Sequence, residues 1–344
     1  MEQVAAAALA PLRGLGDPAF CDGDVGTQWH VTALEEVERQ RRRLLGGAVA
    51  LRPEASYVAA SGGKRLRPLL LLCFAHLGRE PVPADPDAVT AAAAVELLHE
   101  SSLIHDDVVD WSPVRRGRAS VAQQFGILAA ANLGAHLVGM AIEALSECAE
   151  RAGVPLDLAF LSDLTRAELE QALPPCPHGR RQRARSLDVI RGKTGALFDF
   201  AASFGASLAA ARGGTRLGRA ALDCFATALA VAFQVRDDLA DLMDDPALRK
   251  PGGNDLLQGK PTWPFLLWAE KAAAPAAAWR RLAKCRGDVD AARALQLEIA
   301  ASDVVDDVRS LVDRELDAAR CEVERAPACP ARQSLLDTIE VLRS

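Results

Sequence analysis

Apolar residues recur at helical rather than alternating spacing along most of this chain. Such stretches run through roughly 31–50, 54–60, 66–78, 87–110, 119–149, 155–172, 186–211, 214–243, 261–273, 276–285 and 304–325. Three segments between them read as loops from their Pro, Gly and charge content: EPVPADPD (80–87), PPCPHGRRQRARS (174–186) and DDPALRKPGGNDLLQGKP (244–261). Residues 1–30 are punctuated by Gly and Pro and read as a loose extension ahead of one helical domain over 31–344. Runs of alternating β-branched residues are scarce, and no repeat of fixed period is present. The pattern predicts an all-α, single-domain chain.

Composition narrows the possibilities. A length of 344 residues would allow about two domains, but no shift in composition marks a boundary. A formal net charge of −6 argues against nucleic acid as the main partner. The eight cysteines form no CxxC pair and have no histidines at zinc spacing, so they read as reduced thiols of a cytoplasmic protein. Glu2 stands where a signal peptide carries positive charge. No uncharged apolar stretch reaches the roughly 18 residues of a spanning helix. GALFDFAASFGASLAAA comes closest and is interrupted by Asp199, so no transmembrane segment is expected. The basic runs RRR (41–43) and RRQRAR (180–185) read as solvated faces.

Two segments break the apolar pattern in the same way. HESSLIHDDVVD places Asp106, Asp107 and Asp110 in an apolar helix, and QVRDDLADL places Asp237, Asp238 and Asp241 in another. Residues four apart stack on one helix face, so Asp106 and Asp110 share a face with Asp107 beside them. Asp237 and Asp241 do the same, with Gln234 one turn earlier. His99 lies two turns before Asp106, nearly in line. One triplet alone reads equally well as an exposed acidic helix end. Two such triplets in apolar helices need counter-charge, and oxygen ligands without sulfur point to a hard cation. Mg²⁺ suits them, because it binds through few carboxylates and completes its shell with water and substrate phosphates. Several such ions between two facing clusters would hold one polyanion.

The lysines point the same way. There are only six, and Lys64, Lys193, Lys250 and Lys260 sit in Gly- or Thr-marked segments: GGKRLRP, GKTG, RKPGG and GKPT. None has the full GxxxxGK[ST] spacing, which excludes a P-loop nucleotidase. Separate cations converging on phosphate oxygens is the remaining reading.

With these motifs in order from about Arg52 to about Leu267, the chain resembles the trans-isoprenyl diphosphate synthases, or polyprenyl synthetases. GGKRLRP (62–68) is similar to the segment that grips isopentenyl diphosphate. ELLHESSLIHDDVVD followed by RRGRAS is similar to the first aspartate-rich motif and its arginine pair. AELEQ (167–171) is similar to the family's GExxQ, with Ala167 for Gly. IRGKTGALF and FQVRDDLADLMDD…RKPGGNDLLQGKPT are similar to the Lys-Thr segment and the second aspartate-rich motif.

The resemblance implies that Asp106, Asp107, Asp110, Asp237, Asp238 and Asp241 hold Mg²⁺, three ions per site, on an allylic prenyl diphosphate. Arg115, Lys193, Lys250 and Lys260 would contact that diphosphate. Lys64, Arg67, His99 and Arg116 would bind isopentenyl diphosphate, with His99 a phosphate ligand rather than a base. Thr194 and Gln234 would stabilise the carbocation and orient the site. Asp106, Asp107, Asp110, Lys193, Asp237 and Asp238 would carry the catalytic step, and the departed diphosphate would take the proton. The implied product is a trans-polyprenyl diphosphate of twenty carbons or more, because Ser101 and Ser102 stand where bulky aromatics shorten the product. Leu98 and Val95 continue that wall, and replacing Ser101 with Phe is expected to shorten the chain. A homodimer is also implied, as is a helical bundle of the isoprenoid synthase type with the site in a central cavity. Ala135 replaces the aspartate of the family's Gly-Asp pair, and Trp111 is unusual after the first triplet. A terpene cyclase of the same fold would not need Lys64, Arg67, His99 and Arg116. A non-catalytic partner subunit would be expected to have lost a triplet.

Overall fold

The computed structural model describes residues 25–49, 53–79, 85–176, 179–243 and 252–343. The chain enters through α1 (Val25–Val49), α2 (Pro53–Ala59) and α3 (Leu66–Ala75). The central helix is α4 (Pro86–Val109). Its start is fixed by Pro86 in the first turn and by Asp85, whose side chain accepts from Asp87 N at 2.9 Å. Ala91 to Ala94 are fully buried on every side, since small side chains let neighbours approach all round. Helices α1, α3 and α6 (Ile127–Ala152) pack on α4, the last most extensively.

A two-residue hairpin, β1 (Val114–Arg115) and β2 (Arg118–Ala119), follows α4 and pairs Val114 with Ala119 and Arg115 with Arg118. Its turn residues Arg116 and Gly117 both have left-handed backbones (φ 52° and 75°), the geometry of a tight hairpin turn. Short α5 (Val121–Phe125) is separated from α6 by Gly126 at φ 90°. The single helix expected over 119–149 is therefore two, because only glycine adopts that backbone at no steric cost.

Next come α7 (Ala159–Ala172) and α8 (Gly179–Ile190), a π-helical turn over Arg191–Gly195, and α9 (Ala196–Ala211). Most of the arginine-rich stretch expected as a loop over 174–186 is thus the first half of α8. Helix α10 (Arg219–Leu242) carries the second triplet and packs along α9 and α15 (Val304–Glu324). Between them lie α11 (Asn254–Leu257), α12 (Trp263–Lys271), α13 (Pro275–Cys285) and α14 (Val289–Ala300), and α16 (Pro330–Arg343) closes the chain against α1 and α3. Helices α11, α14 and α16 were not expected from the sequence. Helix α1 begins at Val25, six residues before the expected domain start at residue 31.

Two helices bear on the expectation of no transmembrane segment. Helix α6 and the continuous run Arg180–Ala211 are each long and apolar enough to cross a membrane by length and composition. The uncharged limit missed them because one or two charged residues in a long helix do not cancel its apolar average. The Arg180–Ala211 window is 72% buried and belongs to the core, whereas the α6 window is 33% buried.

Candidate active site

The first triplet ends α4. Asp106 is half-buried, Asp107 is buried and Asp110 is exposed at the helix C-cap. Ser112 N returns to Asp107 O at 3.0 Å around Trp111, which takes a left-handed backbone (φ 52°) and lies exposed. That turn sends the chain into the hairpin, which brings Arg115 back onto the triplet. Arg115 donates to Asp107 Oδ1 from Nε at 2.9 Å and Nη2 at 2.5 Å. Burial raises the Asp107 pKa despite Arg115, because desolvation disfavours the charged carboxylate.

Lys193 comes from the π-helical turn. Its Nζ donates to Asp106 Oδ1 at 2.7 Å, to Glu168 Oε2 at 3.0 Å and to Gln171 Oε1 at 2.9 Å. Burial disfavours the ammonium, but Asp106 and Glu168 outweigh it and raise its pKa. Burial and Asp106 push Glu168 up to about 6. The turn approaches α7 closely. A methyl at Gly192 would lie 2.6 Å from the Ala167 Cβ and 2.9 Å from Asp163 O, so the position tolerates only glycine. Thr194 is buried in the same turn. Glu168 and Gln171 therefore belong to the site, although the sequence reading gave them no role. The AELEQ segment was the available signal, and their spacing puts both on one face of α7 toward Lys193.

The carboxylates of the second triplet have different partners. Asp238 Oδ1 accepts from Gln234 Nε2 at 2.9 Å, and its Oδ2 accepts from Trp263 N at 3.0 Å, at the start of α12. Asp241 is buried. Its Oδ2 accepts from Asp255 N at 3.1 Å and its carbonyl from Gly253 N at 2.8 Å. Asp238 and Asp241 thus fasten both ends of the segment 253–263 to α10. Asp237 is half-buried and makes no hydrogen bond or ion pair among the described residues. From the fastened segment Lys260 Nζ reaches Asp110 Oδ2 at 2.9 Å. One short segment therefore joins the two triplets and places them in a common space.

The remaining cations cluster beside them. Lys64 Nζ lies 5.5 Å from the centroid of the Phe233 ring, next to Gln234. The buried Arg67 guanidinium lies 5.1 Å from the Phe198 ring centroid, and its Nε has no hydrogen-bond partner among the described residues. Burial lowers the Arg67 pKa to about 10. His99 is driven well below its usual pKa by burial and by Arg67, Arg116, Arg65 and Arg115, so it is neutral near pH 7. Its Nδ1 is buried without a hydrogen-bond partner among the described residues. Arg116 donates from Nη1 to Gly62 O.

Other expectations fare differently. Ser101 is buried, and its hydroxyl donates to Gly134 O at 2.8 Å in the α4–α6 seam. Ser102 is half-buried and donates to His99 O at 2.8 Å, and Leu98 is buried. Ala135 lies exposed on α6. Lys250 lies outside the described residues.

The donors fit a hard divalent ion, since every acidic ligand candidate offers carboxylate oxygen and Lys193, Arg115 and Lys260 already mark where positive charge is stabilised. Among the described residues no three acidic or sulfur groups form a closed cage on their own.

Comparison with known proteins bears on the same residues. The family model for polyprenyl synthetase matches residues 49–297, which include both triplets, Lys64 and Lys260. The octaprenyl diphosphate synthase of Haemophilus influenzae is 35% identical over 61% of this chain and 62% of its own length. The match thus spans under two thirds of that relative. Heptaprenyl diphosphate synthase component 2 of Geobacillus stearothermophilus is 31% identical over 88% of this chain and 91% of its own. Farnesyl diphosphate synthases also match. The fold is similar to a polyprenyl synthase of Caulobacter crescentus, solved with calcium and isoprenyl diphosphate, at 27% identity and TM-score 0.78 over 93% of this chain and 97% of that one. Ordered motifs, an all-helical fold and a family match over most of the chain agree: this protein belongs to the polyprenyl synthetase family.

Proposed function

We propose that the protein is a Mg²⁺-dependent trans-prenyltransferase that joins isopentenyl diphosphate to an allylic diphosphate, giving a polyprenyl diphosphate of twenty carbons or more. One observation carries the reading. Each carboxylate of the first triplet rests on a cation from a different element: Asp106 on Lys193, Asp107 on Arg115 and Asp110 on Lys260. Such an arrangement is poised for a polyanion that arrives with its own metal charge.

Asp106, Asp107, Asp110 and Asp237 are the residues that would hold Mg²⁺. When bound, Mg²⁺ supplies positive charge to the diphosphate as the allylic C–O bond ionises. With the carboxylates neutralised, Lys193, Arg115 and Lys260 are free to turn to phosphate oxygens. The amide nitrogen of Gln234 is committed to Asp238, which leaves its oxygen, with the Thr194 hydroxyl, to favour a developing cation. Lys64, Arg67, Arg116 and the neutral His99 form the second diphosphate site. A buried guanidinium without a carboxylate partner is costly unless an anion completes it. Apolar walls exclude water from the cation. Asp238 and Asp241 serve the site by fixing the Lys260 segment, a different role from the metal ligation that the resemblance implies for them. The exposed apolar face of α6 serves as a homodimer interface.

The test is incubation of purified protein with Mg²⁺, labelled isopentenyl diphosphate and a set of allylic primers. Label should enter prenyl diphosphates of twenty carbons or more. Cyclic hydrocarbon from an allylic diphosphate alone would instead establish a cyclase, and no turnover would establish a silent subunit.

A further inference from the structure

Beneath the Lys64–Arg67 segment lies a largely buried set of charges. Arg41 of α1 is fully buried and donates to both oxygens of Glu100, at 2.8 and 3.0 Å, to Glu38 Oε1 at 2.5 Å and to Ala59 O at 2.8 Å. Arg65 spends its guanidinium on Glu96 Oε1 at 2.5 Å, Glu38 Oε2 at 3.2 Å and Ser61 O at 3.0 Å. Ser61 Oγ adds a bond to Glu100 at 3.2 Å. Glu96 and Glu100 are one turn apart on α4, on either side of His99. The cluster therefore ties α1, the 59–65 loop and α4 to one another.

Burying four charged groups and half-burying Glu38 is expensive, and well-packed apolar residues would often stabilise as much. What the cluster provides is position. Arg65 holds a left-handed backbone (φ 50°, ψ 29°) just before α3, a conformation unfavourable to a non-glycine residue unless its surroundings impose it. The three-way grip on its side chain imposes it. A methyl at Gly63 would come within 2.7 Å of Arg65 Nη1 and 3.0 Å of Arg116 Nη1, so the loop is folded directly over both guanidiniums. With Arg65 turned inward, its neighbours Lys64 and Arg67 are set toward Phe233 and Phe198 at the site.

We infer that Arg65, held by Glu38, Glu96 and the Arg41–Glu100 pair, is a positioning residue that presets Lys64 and Arg67 for the isopentenyl diphosphate, and is not itself a ligand. This rests on the assignment of the second diphosphate site above. Of the three cations in GGKRLRP, two bind and one holds the frame.

The decisive variant is Arg65→Lys, which keeps the charge but cannot make the forked three-way contact. The expected result is a rise of about tenfold or more in KM for isopentenyl diphosphate, with KM for the allylic substrate and kcat at saturation within about twofold. Glu38→Gln, at the partly exposed edge of the cluster, should shift the same KM in the same direction and serves if Arg65→Lys does not fold. An unchanged KM, or an equal rise for both substrates, would overturn the inference. Lys64→Ala separates the two levels. If it raises KM for isopentenyl diphosphate while Arg65→Lys and Glu38→Gln do not, the site stands and the positioning role falls. If it leaves that KM unchanged, the site assignment falls and the inference falls with it.

Discussion

Asp237 and Asp241 stand one helical turn apart in the same motif, yet the structure gives them different partners. Asp241 is buried against the backbone N–H groups that begin the 253–263 segment, while Asp237 has no such partner among the described residues. Asp237→Asn should lower kcat by about a hundredfold to a thousandfold with an unchanged thermal midpoint, as expected for a group that acts on transition-state charge. Asp241→Asn should lower the thermal midpoint, since a buried acceptor of a backbone N–H is weakened. Kinetics and calorimetry on both variants check this, and equal behaviour would contradict the division. The carboxylates themselves could be read from the sequence, because three acids in an apolar helix demand an explanation. Their division could not, because the donors at Gly253, Asp255 and Trp263 reach α10 only after the loop folds back. Glu168 and Gln171 escaped for a similar reason: their meaning depends on Lys193, brought to them by packing of Gly192 on Ala167.

Helix α10 and the segment it fastens respond to pH through Asp238. Burial and the nearby Asp255 push its carboxyl up to about 7, against about 4 in an unfolded chain. A raised folded-state pKa means that the folded form binds the proton more tightly. The stability it contributes is full below about pH 4 and is lost as pH rises toward 7. In metal-free protein, the thermal midpoint should therefore fall more between pH 4 and 7 in the wild type than in Asp238→Asn, as differential scanning calorimetry can measure. Along α4, Ser101 is spent on the α6 seam, where Gly134 is already tight against His105. A phenylalanine there would overpack the seam, at a cost of about 1–3 kcal/mol. Ser102 is the better probe of chain length, and Ser102→Phe should shorten the product by one or more isoprene units in a chromatographic assay. An unchanged product would remove Ser102 from the pocket wall. Most of the long helices were readable from apolar spacing, and the misses have physical causes. Helix α14 buries Ala292, Leu295, Gln296 and Ile299 at helical spacing, and a glutamine in the core hides the stripe. Helix α16 buries Ser334 and Thr338 among its apolar residues and is hidden in the same way.

Across the whole molecule, α4 is enclosed by α1, α3, α6 and α9, so its C-terminal triplet opens at one end of the bundle while its middle is dry. The enclosure is incomplete at α6, where Leu128 is 75% exposed and Ile127 is 46% exposed. If that face joins two copies, Leu128→Glu should shift the protein from twice the 36.6 kDa chain mass to the single mass in light scattering. A wild-type protein that already runs at the single mass would refute the homodimer. The all-helical class followed from composition and spacing, but the meeting of distant cations and carboxylates depends on loops whose course no periodicity records. The most direct test of that meeting is isothermal titration of a non-ionisable allylic diphosphate analogue with Mg²⁺ present and with it chelated. We predict tight binding only with Mg²⁺, and loss of that binding in Asp106→Asn and Asp237→Asn alike, because both walls hold one ligand. Metal-independent binding, or binding that survives loss of either wall, would contradict it.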